Sequence, residues 1–82
     1  MLKVLFFASL REQLGIDQLG LESARAATVA QLREILMADH PGWAQLLSQP
    51  QLMVAVNQTI AGNQTALQDG DEIAFFPPVT GG

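Results

Sequence analysis

One amphipathic helical segment stands among segments with strand-like alternation, and this arrangement most constrains the fold. The segment spans residues 29–39, and Thr28 with Gln31 forms a capping-box pattern at its start. Pro41 ends it, because proline disfavours helical geometry in the residue before it. Its apolar face consists of Val29, Leu32, Ile35 and Leu36. A single helix of this kind needs an apolar sheet to cover that face.

Apolar and polar residues alternate with period two on both sides of this helix, as is typical of strands. The strand segments are Leu2–Ala8, Ile16–Leu21, Gln51–Asn57, Asn57–Ile60 and Ile73–Phe76. Their order along the chain is strand, strand, helix, strand, short strand, strand. We therefore predict an α+β domain, with a mixed sheet of about five strands packed on one main helix.

Shorter elements connect these segments. Ser9 and Glu12 match a capping box and predict one helical turn at Leu10–Leu14, with Gly15 at its C-terminal end. Residues 43–47, which begin with Trp43, are predicted to form either a second short helix or a packed loop.

Length and composition exclude several classes of protein. The chain has 82 residues, enough for one small domain, and no cysteine, so disulfides and thiolate chemistry are absent. The net charge is −4 and the four basic residues are scattered, which disfavours nucleic acid or membrane partners. No apolar run is long enough to span a membrane, and Met1 leads directly into a strand pattern. We therefore expect a cytoplasmic protein.

Several apolar side chains fall on the strand faces that should point away from the helix. They are Leu5, Phe7, Met53, Ala55, Ile60 and Phe76. We expect the first, third and last strands to be neighbours, so that these side chains form one exposed apolar patch and a protein–protein interface. The alternative is a set of scattered surface apolar residues, which are common.

The folded part of the chain offers little for catalysis. His40 is the only histidine and precedes a proline, which is typical of a helix end. Asp69, Asp71 and Glu72 resemble an acidic cluster, but their Asp-Gly-Asp-Glu pattern predicts a solvated turn and offers too few oxygen ligands for a metal. No spacing typical of a nucleophile triad or a phosphate loop occurs. We predict no enzyme active site in this domain, and no bound metal or cofactor.

The last residues suggest a different kind of functional group. Residues 1–76 form the predicted domain, and residues 77–82 form an extended tail that begins with Pro77-Pro78 and ends with Gly81-Gly82. Six residues reach at most about 20 Å, at roughly 3.3 Å each. Glycines without a Cβ pass through narrow spaces, and the Gly82 carbonyl has no side chain to hinder attack. We interpret the tail as an arm that presents the Gly82 carboxylate to another protein.

At these residues the chain resembles a known family, the small subunits of molybdopterin synthase, which are ubiquitin-like β-grasp sulfur carriers. The resemblance covers essentially the whole length. It is carried by L-K-V-L-F-F-A-x-L-R-E at Leu2–Glu12, by V-N-Q at Val56–Gln58, and by L-x-D-G-D-E-I-A-F-F-P-P-V-T-G-G at Leu67–Gly82, which is the most specific part. Residues 20–51 match only in pattern.

The resemblance implies a mechanism in which Gly82 carries sulfur. An activating adenylyltransferase uses Mg-ATP to convert the Gly82 carboxylate into an acyl-adenylate, and a sulfur donor then gives a thiocarboxylate. The sulfur is donated to cyclic pyranopterin monophosphate in the large synthase subunit, to form the molybdopterin dithiolene. The large subunit is expected to supply the catalytic acid and base groups, in a hetero-tetramer of two small and two large subunits. Besides Gly81 and Gly82, the residues implied in partner binding are Leu5, Phe7, Ile60, Phe76, Pro77, Pro78, Val79 and Thr80.

Two alternatives remain open at the level of the sequence. One is a related ubiquitin-like carrier, serving thiamine synthesis or joined through Gly82 to lysine side chains. The other is a passive β-grasp interaction module, for which the tail would be dispensable.

Overall fold

The computed structural model describes residues 1–78. Its helices and strands follow in the order β1 (Leu2–Phe6), α1 (Ala8–Leu14), β2 (Gln18–Leu21), α2 (Val29–Asp39), α3 (Ala44–Leu47), β3 (Met53–Val56), β4 (Thr59–Ile60) and β5 (Glu72–Phe76). Short 3₁₀ turns occupy Ser23–Arg25 and Pro41–Trp43.

Within these residues the strands form one five-stranded mixed sheet, in the order β2-β1-β5-β3-β4. The first and last strands, β1 and β5, pair in parallel, and the other neighbouring pairs are antiparallel. The predicted adjacency of the first, third and last strands is confirmed. The arrangement is that of the ubiquitin-like β-grasp fold, with α2 as the longest helix in the described part of the chain.

The core lies between one face of the sheet and the helices. Alternation along the central strands buries Val4, Phe6, Ile73 and Phe75 almost completely, each with 1% or less of its surface exposed. The helix α2 contributes three buried residues to the same core, which are Val29, Leu32 and Leu36. The ring of Phe6 stacks on that of Phe75. It also meets the ring of Trp43 edge-on, and the centroids of Phe6 and Trp43 are 5.6 Å apart. The predicted apolar face of helix α2 is confirmed at its three buried residues, and Ile35 is half-buried against the same core.

The predicted start of α2 is confirmed. The Gln31 N–H donates a 3.3 Å hydrogen bond to the Thr28 hydroxyl oxygen, as in a capping box. The Gln31 side chain closes the motif differently, because its oxygen accepts from the Ala27 N–H at 2.8 Å and not from that of Thr28. The cap therefore extends one residue further back along the chain.

The prediction for α1 is wrong at its start. The helix begins at Ala8, its N-cap is Phe7, and no side chain caps it, so Ser9 lies inside the helix. Phe7 is extended and Ala8 has a φ of 56°, so the chain turns from β1 into the helix before it reaches Ser9. The C-terminal prediction is confirmed, since Gly15 adopts the left-handed conformation and donates its N–H to the Arg11 carbonyl.

Strand ends differ from the predicted ones by one to two residues. Strand β2 begins at Gln18 and not at Ile16, because pairing with β1 reaches only the Leu5–Gln18 register position. Strand β3 is limited to Met53–Val56, where it has partners in β5. The open question about residues 43–47 is decided in favour of a short helix, α3.

Candidate interaction surface

The sheet face that points away from α2, here called the outer face, carries an apolar row across four adjacent strands. The row follows the register of the sheet, because Leu5 pairs with Ala74, Ala74 with Ala55, and Ala55 with Ile60. Two alanines lie at its centre and a branched side chain lies at each end. The row therefore has a shallow middle between Leu5 and Ile60.

A second set of apolar side chains lies next to this row, on the side toward the C-terminal end of β5. Phe76 is the register partner of Met53. Phe7 directly follows β1, and its N–H donates a 3.1 Å hydrogen bond to the Phe75 carbonyl. Together with the row, these residues define the outer apolar surface, which consists of Leu5, Phe7, Met53, Ala55, Ile60, Ala74 and Phe76.

The outer apolar surface is less exposed than the sequence predicts. Phe7 and Ile60 expose 44% and 62% of their surface, whereas Leu5, Met53 and Phe76 are only half-buried. Ala55 was expected to be exposed, but only 8% of it is accessible. Its side chain is small and sits on β3 between two paired strands, so its neighbours cover it. The two most exposed side chains stand at opposite sides of the surface, Phe7 beyond β1 and Ile60 on the edge strand β4.

The tail leaves the sheet next to this surface. Pro77 follows Phe76 directly and is half-buried, and Pro78 is exposed. Four residues with predicted roles lie outside the described residues, namely Val79, Thr80, Gly81 and Gly82. The division of the chain at residue 76, and the partner-binding roles assigned to the site residues, remain predictions.

The acidic residues near the start of β5 form a hydrogen-bonded turn, as predicted. The Asp71 carboxylate accepts from the Gln68 N–H at 2.8 Å and from the Asn57 side-chain amide at 2.9 Å. These bonds, the first more than the second, lower the pKa of Asp71. Asp69 accepts from the amino group of Met1, which is the main cause of the lowered pKa of Asp69. No group of three or more histidine or acidic side chains suited to a metal occurs in residues 1–78.

His40 ends α2, as its place before Pro41 predicts, and donates its N–H to the Leu36 carbonyl at 2.9 Å. Its ring also stacks on Trp43, with centroids 3.8 Å apart and planes 9° from parallel. The sequence did not predict this stack. The spacing of three residues across Pro41-Gly42 is the signal that could have indicated it.

Arg33 makes contacts that the sequence did not predict. It is one of the four scattered basic residues of the sequence, it is half-buried, and desolvation lowers its pKa. Its guanidinium donates to the Asn63 side-chain oxygen at 2.9 Å and to the Gln49 carbonyl at 3.3 Å. It directly follows the buried Leu32 on α2.

No helix in the described part of the chain is long and apolar enough to cross a membrane.

Comparison with known proteins finds a family and full-length relatives. The ThiS family model matches residues 4–82. The chain is 50% identical over 82 residues to the molybdopterin synthase sulfur carrier subunit of Haemophilus influenzae, and the match covers 100% of both chains.

Solved structures share the fold over nearly the whole length. The crystal structure of SAMP1 from Haloferax volcanii, a small archaeal modifier protein, superposes with a TM-score of 0.82 at 29% identity, covering 99% of this chain and 98% of that one. A chain in the complex of subunits 1 and 2 of the molybdopterin-converting factor from Helicobacter pylori superposes with a TM-score of 0.70 at 29% identity. That match covers 99% of this chain and 97% of the other.

Proposed function

Because the chain belongs to the ThiS family, we propose that it is the sulfur carrier subunit of a molybdopterin synthase. The observation that carries the proposal is the 50% identity to the Haemophilus influenzae sulfur carrier subunit over the full length of both chains. The motif Pro-Pro-Val-Thr-Gly-Gly at residues 77–82, which follows the core-anchored strand β5, supports it. We further propose a cytoplasmic location.

In the proposed mechanism, Gly82 carries the sulfur as a thiocarboxylate. The Gly82 carboxylate attacks the α-phosphate of Mg-ATP on an activating enzyme, releasing pyrophosphate and forming an acyl-adenylate. A donor of sulfide-level sulfur then attacks the carbonyl carbon, the bond from that carbon to the AMP oxygen breaks, AMP leaves, and loss of the sulfur's proton gives the thiocarboxylate. Gly81 has no side chain and allows Gly82 to enter a narrow active site.

The thiocarboxylate sulfur then bonds to a carbon of cyclic pyranopterin monophosphate, and water hydrolyses the resulting thioester, which leaves the sulfur on the pterin and returns Gly82 to a carboxylate. Two such transfers build the dithiolene that holds molybdenum. Mg-ATP is bound by the activating enzyme and not by this chain. The acid and base groups for the transfer belong to the large subunit, and the acidic turn of this chain is occupied by its own hydrogen bonds.

The outer apolar surface is the proposed docking site for the large subunit and, in an overlapping position, for the activating enzyme. Phe7 and Ile60 are its exposed anchors, and Phe76 lies half-buried beside the tail. The two-subunit complex of the similar Helicobacter pylori protein supports a large-subunit partner. A hetero-tetramer with two copies of each subunit is part of the proposal.

The likeness to the archaeal modifier SAMP1 favours one other candidate function. In that case the activated Gly82 carbonyl would be attacked by a lysine amino group of another protein, giving an isopeptide bond. Covalent conjugates that survive denaturing electrophoresis would distinguish this outcome from sulfur transfer.

The test is reconstitution of molybdopterin synthesis. The full chain is incubated with an activating enzyme, Mg-ATP and a sulfur donor, and then combined with a large subunit and cyclic pyranopterin monophosphate. We expect molybdopterin to form with the full chain and not with a variant that lacks Gly82. The melting temperature of that variant should match the parent, because terminal residues generally contribute little to stability and glycine has no side chain to lose. Equal synthesis by untreated protein, or by the variant, would overturn the proposal.

A further inference from the structure

We propose that Arg33 is a positioning residue. It lies on α2, on the opposite side of the sheet from the outer apolar surface, and it fixes the position of the β3–β4 hairpin that carries Ile60. It acts through Asn63 and Gln49. The inference rests on the proposed function, because it concerns the surface to which the large subunit is proposed to bind.

The first observation is that one guanidinium contacts both segments that flank the β3–β4 hairpin. Gln49 precedes β3 and Asn63 follows β4. Arg33, on α2, donates from Nη2 to the Gln49 carbonyl at 3.3 Å and from Nη1 to the Asn63 side-chain oxygen at 2.9 Å. The two ends of the hairpin are thereby joined to one side chain of the helix.

The second observation is that the loop after β4 is also bonded to the first turn of α2. The Val29 N–H donates to the Thr65 carbonyl at 3.1 Å, and the Ala30 N–H donates to the Asn63 carbonyl at 2.9 Å. These are N–H groups that the first turn of a helix cannot satisfy internally. The loop that follows Ile60 is therefore attached to α2 by backbone as well as by Arg33.

The third observation is that β4 has little pairing of its own. It is an edge strand of two residues, and its ladder consists of the Ala55–Ile60 and Val56–Thr59 positions with β3. Ile60 is 62% exposed, so packing against the domain does little to fix it. A strand this short needs its flanking loop to be held in place if Ile60 is to stay in register with a partner.

The fourth observation is that Arg33 makes hydrogen bonds to neutral oxygens and no ion pair within residues 1–78. No salt-bridge partner of Arg33 is found within residues 1–78, and both of its acceptors are neutral oxygens. A planar guanidinium can donate to two separate acceptors at once, whereas an ammonium is a compact point charge. A lysine at this position should keep the positive charge but should not make both hydrogen bonds, to Gln49 and to Asn63, at once.

The test is a set of double-mutant cycles on binding to the large subunit of molybdopterin synthase. Asn63→Ala removes one end of the Arg33 contact and keeps the backbone bond to Ala30. The matched control is Gln64→Ala, in the next exposed residue of the same loop. Each change is made in the parent chain, in Ile60→Ala and in Phe7→Ala, and dissociation constants and melting temperatures are measured.

If Arg33 acts through Ile60, Asn63→Ala should weaken binding on the order of threefold to thirtyfold in the parent and in Phe7→Ala, but much less in Ile60→Ala. Arg33→Lys should behave like Asn63→Ala, and Gln64→Ala should leave the dissociation constant unchanged. An equal effect of Asn63→Ala in all three backgrounds, or full rescue by Arg33→Lys, would overturn the inference alone. Parent-like binding by both Ile60→Ala and Phe7→Ala would overturn the proposed docking surface, and this inference with it.

Discussion

Phe6 and Phe75 stack in the core with their ring centroids 6.1 Å apart and their planes 17° from parallel. They are also register partners in the parallel pair of β1 and β5. Because side chains alternate along a strand, this pairing sends the next residues, Phe7 and Phe76, to the outer face. One strand register therefore sets both the core and the aromatic part of the outer apolar surface.

Truncation of the adjacent residues Phe75 and Phe76 should affect different properties: stability for Phe75, and mainly partner binding for Phe76. Phe75→Ala leaves a cavity in the core and should lower the free energy of unfolding by about 3–5 kcal/mol. Phe76→Ala should cost about 1 kcal/mol, because its side chain is only half-buried, but it should weaken binding to the large subunit. Urea unfolding and a binding assay measure the two effects. A larger loss of stability from Phe76→Ala than from Phe75→Ala would contradict the assignment of their faces.

The turn between β3 and β4 offers a stabilising substitution. Asn57 and Gln58 have φ angles of 51° and 70°, the left-handed pair typical of a two-residue hairpin turn. Gln58→Gly should relieve the strain of a side chain in that conformation and raise the free energy of unfolding by about 0.5–1 kcal/mol, after glycine's entropy cost.

The matched control for this turn is Asn57→Gly. Asn57 donates to Asp71 and accepts from the Glu72 N–H, so its replacement loses both bonds and should not stabilise the protein. Thermal unfolding of the two variants side by side checks the prediction. A lower melting temperature for Gln58→Gly than for the parent would show that the turn is not strained at this residue.

Asp71 should make stability depend on pH. Hydrogen bonds from the Gln68 N–H and the Asn57 amide lower its pKa in the folded state. Its contribution is therefore fully present above the unfolded-state pKa of about 3.9, and it is lost as pH falls through the folded-state pKa. Asp71→Asn should be less stable than the parent at neutral pH, and the difference should narrow as the pH falls below the unfolded-state pKa of about 3.9.

Denaturant unfolding at several pH values measures this difference. Gln68→Ala keeps the backbone N–H that Asp71 accepts from, so it should retain the pH dependence of the parent. A difference between Asp71→Asn and the parent that stays constant across the acid range would contradict the role assigned to this carboxylate.

The sequence predicts the pattern of the fold well, because the pattern depends on local periodicity. The alternation in Leu2–Phe6 and Glu72–Phe76 identifies which side chains are buried, and Thr28 with Gln31 marks the start of α2 within one residue. The start of α1 could not be predicted in the same way. A positive φ at Ala8 arises from how β1 turns into the helix, and no local residue preference indicates it.

The candidate surface was predicted in outline, and its details depend on neighbours that are distant in sequence. The sequence places Ala55 on the apolar outer face. Its burial, however, depends on its register partners Ala74 on β5 and Ile60 on β4. The contacts of Arg33 with Asn63 and Gln49 join residues 30 and 16 positions apart. Such contacts follow from tertiary packing and leave no periodic signal in the sequence.

The central claim is that Gly82 becomes a thiocarboxylate, and intact-mass spectrometry tests it most directly. The full chain is measured before and after incubation with an activating enzyme, Mg-ATP and a sulfur donor, and a reaction without ATP serves as the control. The account predicts a mass increase equal to the difference between one sulfur atom and one oxygen atom, located by fragmentation at Gly82 and absent without ATP. An unchanged mass in the complete reaction, or an increase located at another residue, would contradict it.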